Sequence, residues 1–262
     1  MSNGIEIRQT LLKDLKGSTF ICGLPGVGLV GNIVANFLVN NLKLEQIGII
    51  DGFAFPSISV VKDGIPNHPM RLYAGEQVCN DGKCNQIVIC VSDFVPPATV
   101  TKDLVNSIYD WAKDKGCTSF ITAEGFSVPP NGDEKESIIY GITSTESSKQ
   151  WIADAKVTPF EFGTIGGFTG VMLNEGKLRS ISVLGLLAEV EEDIPDARAA
   201  SKIIEAIDKL LLEIDLDPKP LLEEAASLEK ELQKVNEQVP VEANNSIPRY
   251  IGSVSYTHLR AH

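Results

Sequence analysis

The sequence predicts an α/β fold: a mainly parallel sheet flanked by helices, followed by a C-terminal helical hairpin. Three observations carry this. Five runs are near-continuously apolar, as strands buried on both faces must be. Helical apolar stripes lie between them, and alternating strand and helix is the pattern of a layered α/β domain. Beyond residue 192 the texture changes to charged helix with apolar residues spaced four and three apart.

The first run is "STFICG" (18–23), which leads through "GLPGVGLVGN" into a stripe of Val30, Ile33, Val34, Phe37, Leu38 and Leu42. The second is "QIGIID" (46–51). An extra meander, "SISVVKDG" then "MRLYAGEQV", carries Asp-Gly turns at 63–64 and 81–82. The third run, "QIVICVSD" (86–93), precedes a helix marked by Leu104, Val105, Ile108, Trp111 and Ala112. "SFITAEG" (119–125) and "ISVLGLLA" (181–188) complete the set, with "DEKE" (133–136) a solvated loop or helix start between them.

The hairpin opens with "DIPDARAASKIIEAIDKLLLEI", where Asp193 is placed to cap and Pro195 falls inside the first turn. Its stripe is Ile203, Ile207, Leu210 and Ile214. "DLDPKP" breaks the chain, and a second helix from Pro218 carries Leu221, Ala225, Leu228, Leu232 and Val235. That seam either packs on its own domain or helps build a homo-oligomer. The expected organisation is an α/β core over 1–192, the hairpin over 193–237 and a flexible tail over 238–252. Residues 253–262, ending in "VSYTHLRAH", read as translated adapter and not as native sequence.

Composition narrows the function classes. Of 262 residues, 43% are hydrophobic and 22% charged, the balance of a soluble globular protein. No apolar run approaches the roughly 20 residues of a membrane helix, and the first residues contain no apolar leader, so the expected compartment is the cytoplasm. The net charge of −12 argues against nucleic acid and anionic membranes as partners. Residues 189–237 hold fifteen Asp/Glu against six Lys/Arg, a net of −9, so the remainder carries only −3.

Five cysteines stand at 22, 79, 84, 90 and 117. Cys22, Cys90 and Cys117 fall in or beside strands as expected buried thiols, whereas Cys79 and Cys84 flank "NDGK", a hairpin turn across which the two can face each other. A metal site needs more ligands than His68, the one histidine of the body, can complete, so no metal is expected.

Gly26-x-Gly28-x-x-Gly31 sits between a strand and a helix, which is how a dinucleotide-binding turn is spelled. Asp51 ends the next strand near where a ribose-binding acid falls. Against this, Pro25 directly precedes the triplet, and His68 lies in the Pro-flanked loop "IPNHPM", so no hydride-transfer partner is evident. Gly23, Gly26, Gly28 and Gly31 equally serve close packing of strand, turn and helix, with no ligand. A nucleoside- or phosphate-handling enzyme is the other alternative, with Glu124 and Asp93 as acid–base candidates at strand ends. Ser92 and Ser127 are hydroxyls without a G-x-S-x-G elbow or a suitably placed histidine.

Five motifs in order extend the comparison: "GLPGVGLVGN", "SDFVPP" (92–97), "TAEGFSVPPNG" (122–132), "GTIGGFTGVMLNEG" (163–176) and the stretch from Pro195 to Ala225. Together they resemble the archaeal proteasome assembly chaperone family, over about Ile5 to Leu232. The resemblance implies a layered α/β sandwich of phosphorylase or hydrolase type used as a binding scaffold, with no catalysis and no cofactor. It further implies proteasome α-subunits or the 20S core particle as partner, and a homo-oligomer. Some members present a C-terminal hydrophobic–Tyr–any motif, and the matching stretch here is Arg249, Tyr250 and Ile251 in "PRYIG". It departs from the pattern in carrying Arg249 where the motif has a hydrophobic residue.

Overall fold

The computed structural model of the chain describes residues 4–80, 83–128, 137–190 and 195–223. The 81–82 turn, the "DEKE" stretch, Asp193, most of the stretch expected to form the second hairpin helix, and everything from 224 onward lie outside the described residues. In chain order the elements are β1 (Ile5–Gln9), β2 (Thr19–Gly23), α1 (Val30–Asn41), β3 (Glu45–Gly52), β4 (Val60–Lys62), β5 (Ile65–Asn67), β6 (Met70–Ala74), β7 (Val78–Asn80), β8 (Lys83–Asn85) and β9 (Ile87–Ser92). They continue with α2 (Ala98–Asp114), β10 (Ser119–Ser127), β11 (Ile139–Thr143), α3 (Gln150–Asp154), β12 (Thr158–Pro159), α4 (Gly167–Arg179), β13 (Ser182–Val190) and α5 (Ala197–Ile207).

Nine strands form one sheet in the order β1-β3-β6-β9-β2-β10-β13-β11-β12, and β4–β5 and β7–β8 are separate hairpins. The five apolar runs are β2, β3, β9, β10 and β13, and all five point the same way. β9, β2, β10 and β13 are contiguous and parallel, while β3 reaches the same direction through β6, which is antiparallel to both its neighbours. Antiparallel β1 and β11 extend the sheet at its two sides. This is the expected α/β class. β2 and β9 are buried at every position because helices cover both faces.

The expected meander divides. "SISVVKDG" makes the β4–β5 hairpin, whose turn residues Asp63 (φ 52°) and Gly64 (φ 76°) are both left-handed, as a two-residue hairpin turn needs. "MRLYA" instead inserts as β6 between β3 and β9, burying Met70, Leu72 and Ala74. β1 went unread in the sequence because it alternates Ile5 and Ile7 with exposed Glu6 and Arg8. Such charges keep a sheet edge from pairing further.

α1 and α5 pack together on one face over Ile21, Ile89, Ile121 and Leu186. α2 and α4 cover the other face over Phe20, Val88, Phe120 and Val183. Each fully buried Leu, Ile or Val contributes about 1.5–3 kcal/mol. In α2 the side chain that anchors the layer is Tyr109, whose hydroxyl donates to the Met172 carbonyl at 2.6 Å and whose ring meets Phe120 edge-on.

The hairpin's first helix begins later than the sequence pattern placed it. Asp196, not Asp193, is the N-cap, its carboxylate accepting from the Ala199 N–H at 2.8 Å, and Pro195 precedes the helix. Ile203 and Ile207 are fully buried in the core, and the chain continues through a wider π-type turn over Asp208–Leu212. The first helix therefore spends its apolar stripe on its own body.

Candidate functional site

The glycine-rich turn leaves β2 at Gly23, passes through extended Gly26, makes one 3₁₀ turn over Val27–Leu29 and enters α1 at Val30. Gly28 (φ 62°) is left-handed. A Cβ on Gly23 would overlap the Ala35 methyl and the Gly31 carbonyl, and one on Gly31 would overlap the Ala123 carbonyl oxygen and sit 2.7 Å from that of Leu24. At Gly28 the added carbon would lie 2.9 Å from Val190 Cγ1 and 3.3 Å from Asp196 Cβ. Gly26 differs: its nearest neighbour would be Glu124 Cγ at 3.6 Å, an ordinary contact.

A dinucleotide turn needs its second glycine open so that the pyrophosphate can approach the backbone. Here that side of Gly28 is covered by the end of β13 and the start of α5, and the Asp196 N–H donates to the Gly28 carbonyl at 2.8 Å. Strand order removes the ribose acid as well. β3 lies three strand spacings from β2, about 14 Å, so Asp51 is not beside the turn. Its neighbours are the Gly52 N–H at 2.8 Å, His68 Nε2 at 3.5 Å and Arg8 at 3.8 Å.

Glu124 is the group that links the glycine clusters. It lies within β10 beside Gly26, and its Oε1 lies 3.9 Å from where a Cβ on Gly167 would stand, at the first turn of α4. Burial pushes its pKa up, and a hydrogen bond from Thr169 partly opposes the rise. The charged form is thus disfavoured in the fold. Below the ordinary carboxyl value of 4.5 the neutral group's contribution to stability is complete, and it is lost as pH rises through the raised folded value. Glu124→Gln keeps an acceptor for Thr169 without the charge. Its melting temperature is expected to equal wild type at pH 4 and exceed it at pH 7, and a variant less stable at pH 7 would show that the carboxylate is needed ionised.

Asp93 and Ser92 at the end of β9 are already engaged. Arg71 Nη1 donates to Asp93 Oδ2 at 2.6 Å, and the fully buried Ser92 hydroxyl donates to the Phe94 carbonyl at 2.7 Å. Ser127 is exposed at the end of β10. Among the described residues no serine meets a histidine, since His68 faces Asp51 through Nε2 and the Met70 N–H through Nδ1.

Two shallow cavities lie elsewhere. One of about 330 Å³ is lined by Asp51, Phe53, Phe55, Ser57 and His68, and one of about 500 Å³ by Tyr109, Lys113, Cys117, Arg179 and Ser182. Neither is lined by Gly26, Asp93 or Glu124. No group of three or more His, Cys, Asp or Glu is gathered for a metal among the described residues. No described helix is long and apolar enough to cross a membrane. Cys22 and Cys90 are buried thiols, the latter pushed up to about 12 by desolvation, Cys117 is half-buried, and Cys79 and Cys84 are joined in a disulfide. The tail residues Arg249, Tyr250 and Ile251 lie outside the described residues.

What the sequence did not disclose is the cover over the turn. Val190 and Asp196 lie far along the chain from Gly28, and no local pattern at the turn points to them.

The fold and turn together define an α/β sandwich whose strand-end glycines are occupied by its own strands and helices. The chain belongs to the PAC2 family, whose model matches residues 20–236. It is similar to Pyrococcus furiosus PbaA, an archaeal homolog of proteasome-assembly chaperone, with 30% identity and a TM-score of 0.78 over 89% of this chain and 92% of that one. It is also similar to P. furiosus PbaB, an archaeal proteasome activator, with 26% identity and a TM-score of 0.78 over 89% and 99%. An uncharacterized protein of Methanocaldococcus jannaschii is 26% identical over 86% of this chain and 88% of its own length.

Proposed function

We propose that this chain is a proteasome assembly chaperone-like protein that binds proteasome α-subunits or the α-ring of the core particle and has no catalytic role of its own. The observation that carries the reading is the likeness to PbaA and PbaB over about nine-tenths of each chain. The closure of the glycine-rich turn by Val190 and Asp196 supports a scaffold over a nucleotide-handling enzyme.

The contact is assigned to the tail. Residues 238–252 contain Pro240 and Pro248, lack an apolar stripe and carry one aromatic anchor, Tyr250, beside Arg249 and Ile251. Tyrosine offers large contact area at low entropic cost. In a homo-oligomer several tails engage several pockets, and avidity multiplies a weak single contact. The net −9 of residues 189–237 favours a basic partner surface, so binding weakens with salt.

The test is pull-down of archaeal α-subunits by the chain carrying its native C-terminus. Tyr250→Ala is expected to lower capture by about tenfold or more, the loss typical of a hot-spot aromatic, and deletion of the tail to abolish it. Equal capture by intact and tail-deleted protein would move the interface to the α/β body. Failure of both at low salt would return the nucleoside-enzyme alternative.

A further inference from the structure

The β7–β8 hairpin has two chemically distinct faces. Val78 pairs with Asn85, Cys79 with Cys84 and Asn80 with Lys83, so alternation puts Val78, Asn80 and Asn85 on one face and both cysteines on the other. The inner face is held against the chain that follows α5. Asn85 Nδ2 donates to the Leu211 carbonyl at 2.5 Å, Asn80 Nδ2 donates to the Glu213 carbonyl, and Val78 packs with the α1–α5 core cluster. The outer face carries the disulfide on two exposed residues.

The segment gripped this way is also tied to the body through Leu211, Ile214 and Leu216, which pack against the α1–α5 core cluster. After Asp208–Leu212 the chain turns left-handed at Glu213 (φ 52°) and Asp215 (φ 56°), and the Ile214 and Leu216 N–H groups donate to the Asp208 carboxylate at 3.2 and 3.4 Å. The hairpin that grips it is weak by itself: two strands of three residues, outside the main sheet. An isolated two-stranded hairpin is marginal in water. The covalent bridge keeps its strands in register, and register decides that both asparagines, and not both cysteines, face the segment after α5.

We propose that Cys79–Cys84 is a reversible redox site, taking small or protein dithiols as its reaction partner, and that its oxidation state sets how firmly the chain after α5 is held to the body. The chemistry is thiol–disulfide exchange. One thiolate of the dithiol bonds to Sγ of one cysteine as the Cys79–Cys84 bond breaks and the other cysteine leaves as a thiolate that takes up a proton. The dithiol's second thiolate then attacks the mixed disulfide, releasing the remaining cysteine, which is likewise protonated. Two electrons pass to the protein and the dithiol ends as a disulfide. Exposure of both cysteines admits the reagent, whereas Cys22 and Cys90 are buried and their thiols pushed upward, away from the reactive thiolate. This inference does not rest on the proteasome reading, since the held segment is measured in the protein alone.

Hydrogen exchange of the full chain, with and without dithiothreitol, tests it. Reduction is expected to speed exchange at Glu213, Ile214 and Leu216 by about 5–30-fold, the factor for one or two lost hydrogen bonds, and to leave β2 and β13 unchanged. Asn80→Ala with Asn85→Ala should reproduce the reduced pattern in oxidised protein. Cys79→Ser with Cys84→Ser should exchange as the reduced protein does under both conditions. Exchange at 213–216 indifferent to reduction would overturn the proposal, as would a Cys79→Ser/Cys84→Ser variant still sensitive to dithiothreitol. Five titratable thiols in air-oxidised protein unfolded in denaturant without reductant, in place of three, would do the same.

Discussion

Replacing Gly31 by alanine is expected to cost at least about 3 kcal/mol, the upper end of what overpacking usually costs. The methyl carbon would overlap the Ala123 carbonyl oxygen of β10 and sit 2.7 Å from the Leu24 carbonyl of the turn. Both are backbone atoms, Ala123 at the centre of the parallel β10–β13 ladder and paired with Gly23 of β2. Neither yields as the end of a flexible side chain does. At about 2–4 °C per kcal/mol for a domain of this size, the melting temperature falls by about 6–12 °C.

Gly26→Ala is the matched control. Its new carbon meets Glu124 Cγ at 3.6 Å from an extended backbone, so stability stays within about 0.5 kcal/mol of wild type. The same samples test for a ligand. A nucleotide at a hundred times its dissociation constant would add about 2.7 kcal/mol, and NAD(H) and ATP are expected to add nothing measurable. A tolerated Gly31→Ala, or a clear shift with either nucleotide, would reopen the dinucleotide reading of the turn.

That reading shows how far the sequence went. Strands buried on both faces announce themselves by continuous apolar composition, and β2, β3, β9, β10 and β13 were legible for that reason. Their order in the sheet was not, because nothing local in "MRLYA" says that it pairs on both sides. The insertion of both β6 and β9 between β3 and β2 is what carries Asp51 away from the glycine turn and dissolves the resemblance to a nucleotide site.

α4 was hidden by a different cause. Its sequence reads as a glycine cluster, yet Gly170 and Gly176 are helical positions whose missing side chains admit close neighbours. A Cβ on Gly176 would stand 2.5 Å from Val183 Cγ2, and one on Gly170 would overlap the Ile165 carbonyl. A helix packed through glycine shows no apolar stripe, so periodicity cannot find it. The motif order did better than periodicity here. "GLPGVG", "TAEGF" and "GTIGGFTG" meet around Glu124, whereas the sequence showed only their order along the chain.

The second large effect belongs to Asp93, which the sequence offered as an acid–base candidate and which the fold pairs with Arg71. Asp93→Ala is expected to cost about 3–5 kcal/mol, because it removes the charge that compensates a buried guanidinium. The Arg71 side chain is 8% exposed and that of Asp93 27%. Burial works against the Arg71 charge, and the hydrogen bond and charge of Asp93 outweigh it, so the guanidinium's pKa is raised. Its other contacts, the His68 carbonyl and the Tyr73 hydroxyl at 3.0 Å, are neutral and cannot replace a carboxylate.

The exposures make the two halves of the pair unequal. Arg71→Met leaves Asp93 with water as a partner and fills the space with apolar atoms, so it should cost under about 1.5 kcal/mol, as a volume-conserving replacement does. The double variant Arg71→Met/Asp93→Ala should then be more stable than Asp93→Ala alone. A second substitution that restores stability is the signature of a stranded charge, which a lost surface contact does not give. Urea unfolding of the four proteins measures this directly. Asp93→Ala as mild as Arg71→Met would mean that Arg71 finds water when unpaired, and the strand-end surface around β6 and β9 would then be looser than its packing implies.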